Sequence, residues 1–125
     1  MPRMADFTFD LPWPGKALSP NSRPHWSAKH KAAQASKNAA WGIVRLAVKK
    51  RLPWPRVVIE WVFHPKTAHA VDLDNLIGSA KYLQDGIALA IGIDDSLFDP
   101  TYRIGEPVKG GLVRVSISKP EFKPL

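Results

Sequence analysis

Val57-Val58-Ile59-Glu60-Trp61-Val62-Phe63 is β-branched and aromatic except at Glu60, and His64-Pro65 follows as a stop. Such a run predicts a strand. What lies on either side decides the fold class. Upstream, Ala28 to Lys50 is rich in Ala and Lys, both good helix formers, with Ser27 as the expected N-cap. Ala28, Ala32, Ala35 and Ala39 repeat at helical spacing toward Ile43, Leu46 and Ala47, a face expected to pack on a sheet. Downstream, Lys66 to Ala70 reads as a short loop. A second helix is expected from Asp72–Asp74 to about Ala90, with Leu76, Leu83, Ile87 and Ala90 as its apolar face and Gly92 as its end signal.

The outer segments complete the pattern. Phe7-Thr8-Phe9-Asp10-Leu11 alternates and predicts a strand, ended by Pro12 and Pro14. Gly15 to Pro24 reads as a loop. Tyr102 to Ile104 suggests a short strand. Lys109-Gly110-Gly111 turns into the alternating Leu112 to Ile117, and the Pro-containing tail is expected to be ragged. The order β-α-β-α-β-β predicts one α+β domain over residues 1–125, a small single mixed sheet with two main helices on one face.

Composition narrows the function. The chain has 125 residues, no cysteine, and 18 Lys and Arg against 11 Asp and Glu, a net charge of +7. Disulfide scaffolds, cysteine-zinc sites and thiol nucleophiles are excluded. No stretch approaches the roughly 20 apolar residues of a membrane span. Met1 to Asp6 has no apolar signal core, so a cytoplasmic location is expected. No acid lies between Asp10 and Glu60, while Lys16, Arg23, Lys29, Lys31, Lys37, Arg45, Lys49, Lys50, Arg51 and Arg56 do. The acids gather later, as Asp72, Asp74, Asp85, Asp94, Asp95 and Asp99. A basic half of this kind suits a phosphate backbone. Its prolines disfavour a continuous amphipathic membrane helix.

Asp72-Leu73-Asp74-Asn75 carries two carboxylates two residues apart, on one side of the chain if the segment is extended. Like charges so placed repel, and a cation between them relieves this; Mg²⁺ takes one or two carboxylates plus water and phosphate. Asp94-Asp95 is a second pair, some 25 Å away along a straight helix, so a returning loop or a second subunit would have to unite them. The alternative is structural: an Asp72 or Asp74 helix cap and a polar Asp94-Asp95 turn. Asp85 reads as an exposed helix residue and Asp99 as a turn residue. His25, His30, His64 and His69 lack zinc spacing and read as surface or phosphate contacts. Of the five tryptophans, Trp13 and Trp54, each between two prolines, are expected to be the exposed ones.

Three stretches together resemble the RusA family of Holliday junction resolvases, in its phage and prophage form. They are Leu11-Pro12-Trp13-Pro14 with Ser19-Pro20-Asn21-Ser22-Arg23 and His25-Trp26; Asp72-Leu73-Asp74-Asn75-Leu76; and Asp85-Gly86 with Gly92-Ile93-Asp94-Asp95-Ser96. The resemblance implies a RusA-like fold and a homodimeric, Mg²⁺-dependent (Mn²⁺ as a substitute) endonuclease that nicks four-way DNA junctions. It implies Asp72, Asp74 and Asp95 as catalytic metal ligands, with support from Asp94 and Asn75. Lys16, Arg23, His25, Lys29, Lys31 and Lys37 would contact DNA. The family's lysine four residues after the second motif aspartate is Gly78 here, and Lys81, one turn on along the helix, is the candidate for catalytic support at the same phosphate. As a mid-helix glycine, Gly78 is expected to gain helix stability when replaced. The competing classes are a non-catalytic basic nucleic-acid-binding module and a nuclease for flaps or forks.

Overall fold

The computed structural model describes residues 4–20, 22–69 and 71–121. Residues 1–3, Asn21 of the first motif stretch, Ala70 at the end of the expected loop, and the tail at 122–125 lie outside the described residues. The sheet is built from β1 (Phe7–Pro12), β2 (Val57–His64), β3 (Phe98–Ile104) and β4 (Leu112–Ser118), in the order β1-β4-β2-β3. β4 runs antiparallel to both β1 and β2, and β3 runs parallel to β2. The helices are α1 (Trp26–Ala47), α2 (Leu73–Ser79) and α3 (Lys81–Ile91). The architecture is α+β with a mixed four-stranded sheet and three helices.

Alternation decides which face is covered. Phe9, Leu11, Val57, Ile59, Trp61, Phe63, Val113, Val115 and Ile117 are buried in one core with Ala40, Val44, Leu83, Ile87 and Ile91 from the helices. The opposite face is polar. There Arg114 forks onto Asp10, and Thr8 meets Ser116 across the strands. His64, expected as a stop and a surface histidine, is instead the last residue of β2 and buried. The loop after β3 folds over it, and its Nδ1 lies 2.8 Å from the Glu106 carbonyl oxygen. Gly105 permits this approach, since a Cβ there would lie 2.7 Å from His64 Cε1. β3 is longer than Tyr102–Ile104. It begins at Phe98 beside Val57 and tolerates Pro100 because it is an edge strand. Asp99 is therefore a strand residue, bonded to Arg56, and not a turn residue.

Two helix expectations change. The second helix is broken at Ala80 into α2 and α3. Ser79 Oγ donates to the Asn75 carbonyl at 2.8 Å, and such back-bonding next to Gly78 bends a helix. The first helix starts earlier, at Trp26, because His25 and not Ser27 is its N-cap. His25 Nδ1 accepts from the Ser27 N–H at 3.3 Å. It ends at Ala47, since Val48 turns extended and buries its side chain. Its buried stripe is Ala33, Ser36, Ala40 and Val44, so Ala28 and Ala35 face solvent. The reason is tertiary: α1 lies chiefly along α3 and only secondarily on the sheet. The helices meet at Gly86, where a Cβ would collide with the Lys37 carbonyl oxygen and lie 2.9 Å from Ala40 Cβ.

Candidate functional site

Asp72 is the N-cap of α2. Its Oδ1 accepts from the Asp74 N–H at 2.9 Å and the Asn75 N–H at 3.3 Å, which leaves Oδ2 uncommitted. The cap therefore uses half of one carboxylate. Only Asp72 is extended (φ −89°, ψ 113°); Asp74 already lies in the first helical turn, so strand alternation does not orient the pair. Asp74 is exposed and its carboxylate has no hydrogen bond or ion pair among the described residues. Asp72 and Asn75 line a hollow of about 200 Å³ with Lys16, Ser19 and Ser79. Lys16 belongs to a single 3-10 turn, Lys16–Leu18, which brings a cation to the aspartate end of α2.

The second pair is placed by Gly92. It caps α3 in the left-handed region (φ 73°) and reverses the chain. Asp94 then caps the 3-10 turn Asp95–Leu97, its Oδ2 accepting from the Ser96 N–H at 3.0 Å and from the Ser96 hydroxyl. That hydroxyl, and then the N–H, hold the Asp94 carboxyl below its ordinary value. Asp95 Oδ2 accepts from Gln84 Nε2 at 3.1 Å. Asp95 thus lies beside the second turn of α3, one turn from exposed Lys81, and not out beyond the helix end. The loop after α3 returns Asp95 toward the helix. Among the described residues, however, no three or more His, Asp or Glu side chains form a metal-binding group. Asp72 and Asp74 remain one set, Asp94 and Asp95 another. Gln84 was missed from sequence, because no spacing rule links it to Asp95 across the Gly92 turn.

The basic residues divide. Lys29 and Lys37 line a hollow of about 320 Å³ between α1 and α3, with Trp26, His30, Tyr82 and Asp85. Lys37 and Asp85 also line the adjoining hollow that holds Asp94 and Asp95. Asp85 is therefore a half-buried groove residue, not a plain solvent-facing one. Lys31 is exposed but lines neither hollow; two residues from Lys29, it projects roughly 200° around the helix. Arg23 and His25 are exposed just before α1. Arg45 reaches the Ala90 carbonyl at 3.5 Å and Arg56 pairs with Asp99, so both serve the fold.

The exposed tryptophans are also not those expected. Trp26 is 75% and Trp41 44% exposed, while Trp13 and Trp54 pack on the core. Trp13 meets Phe63 edge-on at 6.5 Å, and Trp54 lies 6.4 Å from Phe7. Both rings pack on the core, where the flanking prolines had suggested solvent.

No family model matches the chain. It is 39% identical over 97 residues to an uncharacterized protein of Xylella fastidiosa (strain Temecula1), covering 70% of this chain. The chain aligns with 60% of that relative's length. None of the helices among the described residues is long and apolar enough to cross a membrane.

Proposed function

We propose that this chain is a RusA-like, Mg²⁺-dependent, structure-selective endodeoxyribonuclease. It resolves four-way DNA junctions by paired symmetric nicks in recombination and repair. It acts as a homodimer in the cytoplasm of a bacterial cell, encoded by a phage or prophage. What carries this is the state of the aspartates. In a chain of net charge +7, Asp72, Asp74, Asp94 and Asp95 have no cationic partner among the described residues, while Asp10 and Asp99 are each taken by an arginine. Hard, uncompensated oxygens beside basic surface fit a divalent cation that arrives with substrate phosphate.

Asp72, through Oδ2, and Asp74 would hold the ion, and Asp95 would join them from the turn after α3. A bound Mg²⁺ supplies an acidified water and neutralises charge on the phosphoryl oxygens. The chain's own residues do the positioning. The cap bonds fix Asp72, Gln84 fixes Asp95, and Lys16 attracts the phosphate into the hollow beside Asp72. Dimerisation would present two such sites about a two-fold axis, the symmetry of the junction.

The test is a synthetic four-way junction with Mg²⁺ or Mn²⁺, read on a denaturing gel beside flap and fork substrates. Asp72→Asn, Asp74→Asn and Asp95→Asn are expected to abolish nicking and retain junction binding. Nicking that persists in all three variants overturns the assignment. Parent protein that binds but never nicks points to the non-catalytic module instead.

A further inference from the structure

The aspartates of this chain are held by donors of two kinds. Arg114 and Arg56 hold Asp10 and Asp99 and neutralise them. Asp95 is held by a neutral amide, Gln84 Nε2 donating to its Oδ2 at 3.1 Å. The direction is fixed by chemistry, since an ionised carboxylate only accepts and an amide NH₂ only donates. No other hydrogen bond or ion pair reaches the Asp95 side chain among the described residues, so Oδ1 is left open. A neutral donor orients a carboxylate and leaves its full charge for a cation; an arginine or lysine does not. Asp95 needs such a guide. It opens a 3-10 turn of three residues, set between buried Ile93 and buried Phe98. Asp94 does not orient it, because the Asp94 Oδ2 is taken by the Ser96 N–H and hydroxyl, which pin the turn itself. Gln84 is anchored where Asp95 is not. It lies on α3 between Leu83 and Ile87, both wholly buried in the core. Ligating carboxylates are commonly oriented by hydrogen bonds of this kind, and losing one weakens the metal.

We infer that Gln84 is a positioning residue for divalent-ion binding: it aims Asp95 without neutralising it, and so sets the affinity of the site for the ion. The inference rests on the nuclease reading, which takes Asp95 as a ligand, and deepens it. Of the two adjacent acids, Asp94 holds the turn and Asp95 meets the ion.

The experiment is a Mn²⁺ titration of the full chain without DNA, following the EPR signal of the free ion, beside thermal melts in EDTA. Gln84→Met keeps the side-chain length and loses the donor. It is expected to weaken Mn²⁺ binding about tenfold and to leave the melting midpoint in EDTA little changed. Gln84→Lys keeps a donor and adds charge. It should hold the turn, with a melting midpoint at or above that of the parent, and still weaken Mn²⁺ binding, because the ammonium takes the charge that the ion needs. In an Asp95→Asn background, Gln84→Met should add no further loss, since it acts only through Asp95. Mn²⁺ binding by Gln84→Met within about twofold of the parent overturns the inference. So does Gln84→Lys binding as the parent does, a full additional loss on the Asp95→Asn background, or a parent without saturable Mn²⁺ binding. None of these outcomes depends on cleavage. Weakened binding in Gln84→Met beside a parent that never nicks a junction keeps Gln84 in this role and removes the nuclease.

Discussion

Pro20 lies against the bare backbone of Gly78: a Cβ built on Gly78 would sit 2.6 Å from Pro20 Cγ. The contact seats the segment that carries Lys16 and Ser19 against α2, beside Asp72 and Asn75. Sequence reading treats Gly78 as a helix defect to be filled. In the structure it is the flat place on which that segment rests.

Gly78→Ala is therefore expected to destabilise. The helix gains up to about 1 kcal/mol in propensity, but overpacking against the proline ring costs about 1–3 kcal/mol. Gly78→Lys should be worse. Pro20→Ala should relieve the clash, with a coupling of about 1 kcal/mol in a double-mutant cycle followed by urea unfolding. Full additivity would show that the two residues do not bear on one another.

Lys16, not Lys81, shares the hollow with Asp72. Single-turnover nicking of a junction is expected to fall about tenfold or more in Lys16→Ala, and to stay within about twofold in Lys81→Ala. The reverse ranking would place the working cation on α3.

Gly86 admits the Lys37 carbonyl oxygen, and no side chain there can swing aside. Gly86→Ala should separate α1 from α3 and lower stability by about 2 kcal/mol or more, seen as a drop in thermal midpoint. The control is Gly42→Ala, where a Cβ meets nothing within 4 Å. That substitution should stabilise α1 by up to about 1 kcal/mol.

Salt should separate the lysines of α1. Lys29→Ala and Lys37→Ala are each expected to lower the slope of log K against log salt for DNA by about 0.7–0.9. Lys31→Ala, which lines neither hollow, should leave it unchanged. An equal effect from all three would mean that DNA binds around the helix and not along the groove.

Acid should act through three aspartates. The Arg114 hydrogen bond lowers the Asp10 carboxyl below its ordinary 3.8, the Arg56 hydrogen bond lowers Asp99, and Ser96 lowers Asp94. A depressed folded value stabilises above the unfolded value, and the contribution is lost as pH falls through the folded one. Stability should thus decline below about pH 4. The variant Asp10→Asn/Asp99→Asn should show a shallower decline in melts between pH 2 and 5. An unchanged acid limb would show that these pairs contribute nothing to folding, as many exposed ion pairs do.

The elements that the sequence determined are those set by neighbours a few residues apart. β2 and β4 follow from their β-branched and alternating runs, α1 from its Ala and Lys content, the end of α3 from Gly92, and the Asp72 cap from the residues it precedes. The apolar positions Leu83, Ile87 and Ala90 were legible for the same reason: helical period is a local property. Other features were decided by contacts between residues far apart in the chain. Gly86 against Lys37 chose which stripe of α1 is buried. The Glu106 carbonyl brought His64 inside. Phe63 and Phe7 drew Trp13 and Trp54 onto the core and left Trp26 in water. The turn at Gly92 carried Asp95 back to Gln84, where the motif alone placed it at the far end of a straight helix. Propensity and capping act over one turn of chain, whereas helix rotation, strand order and the return of Asp95 to Gln84 depend on which surfaces come close enough to exclude water, and only the folded chain decides that.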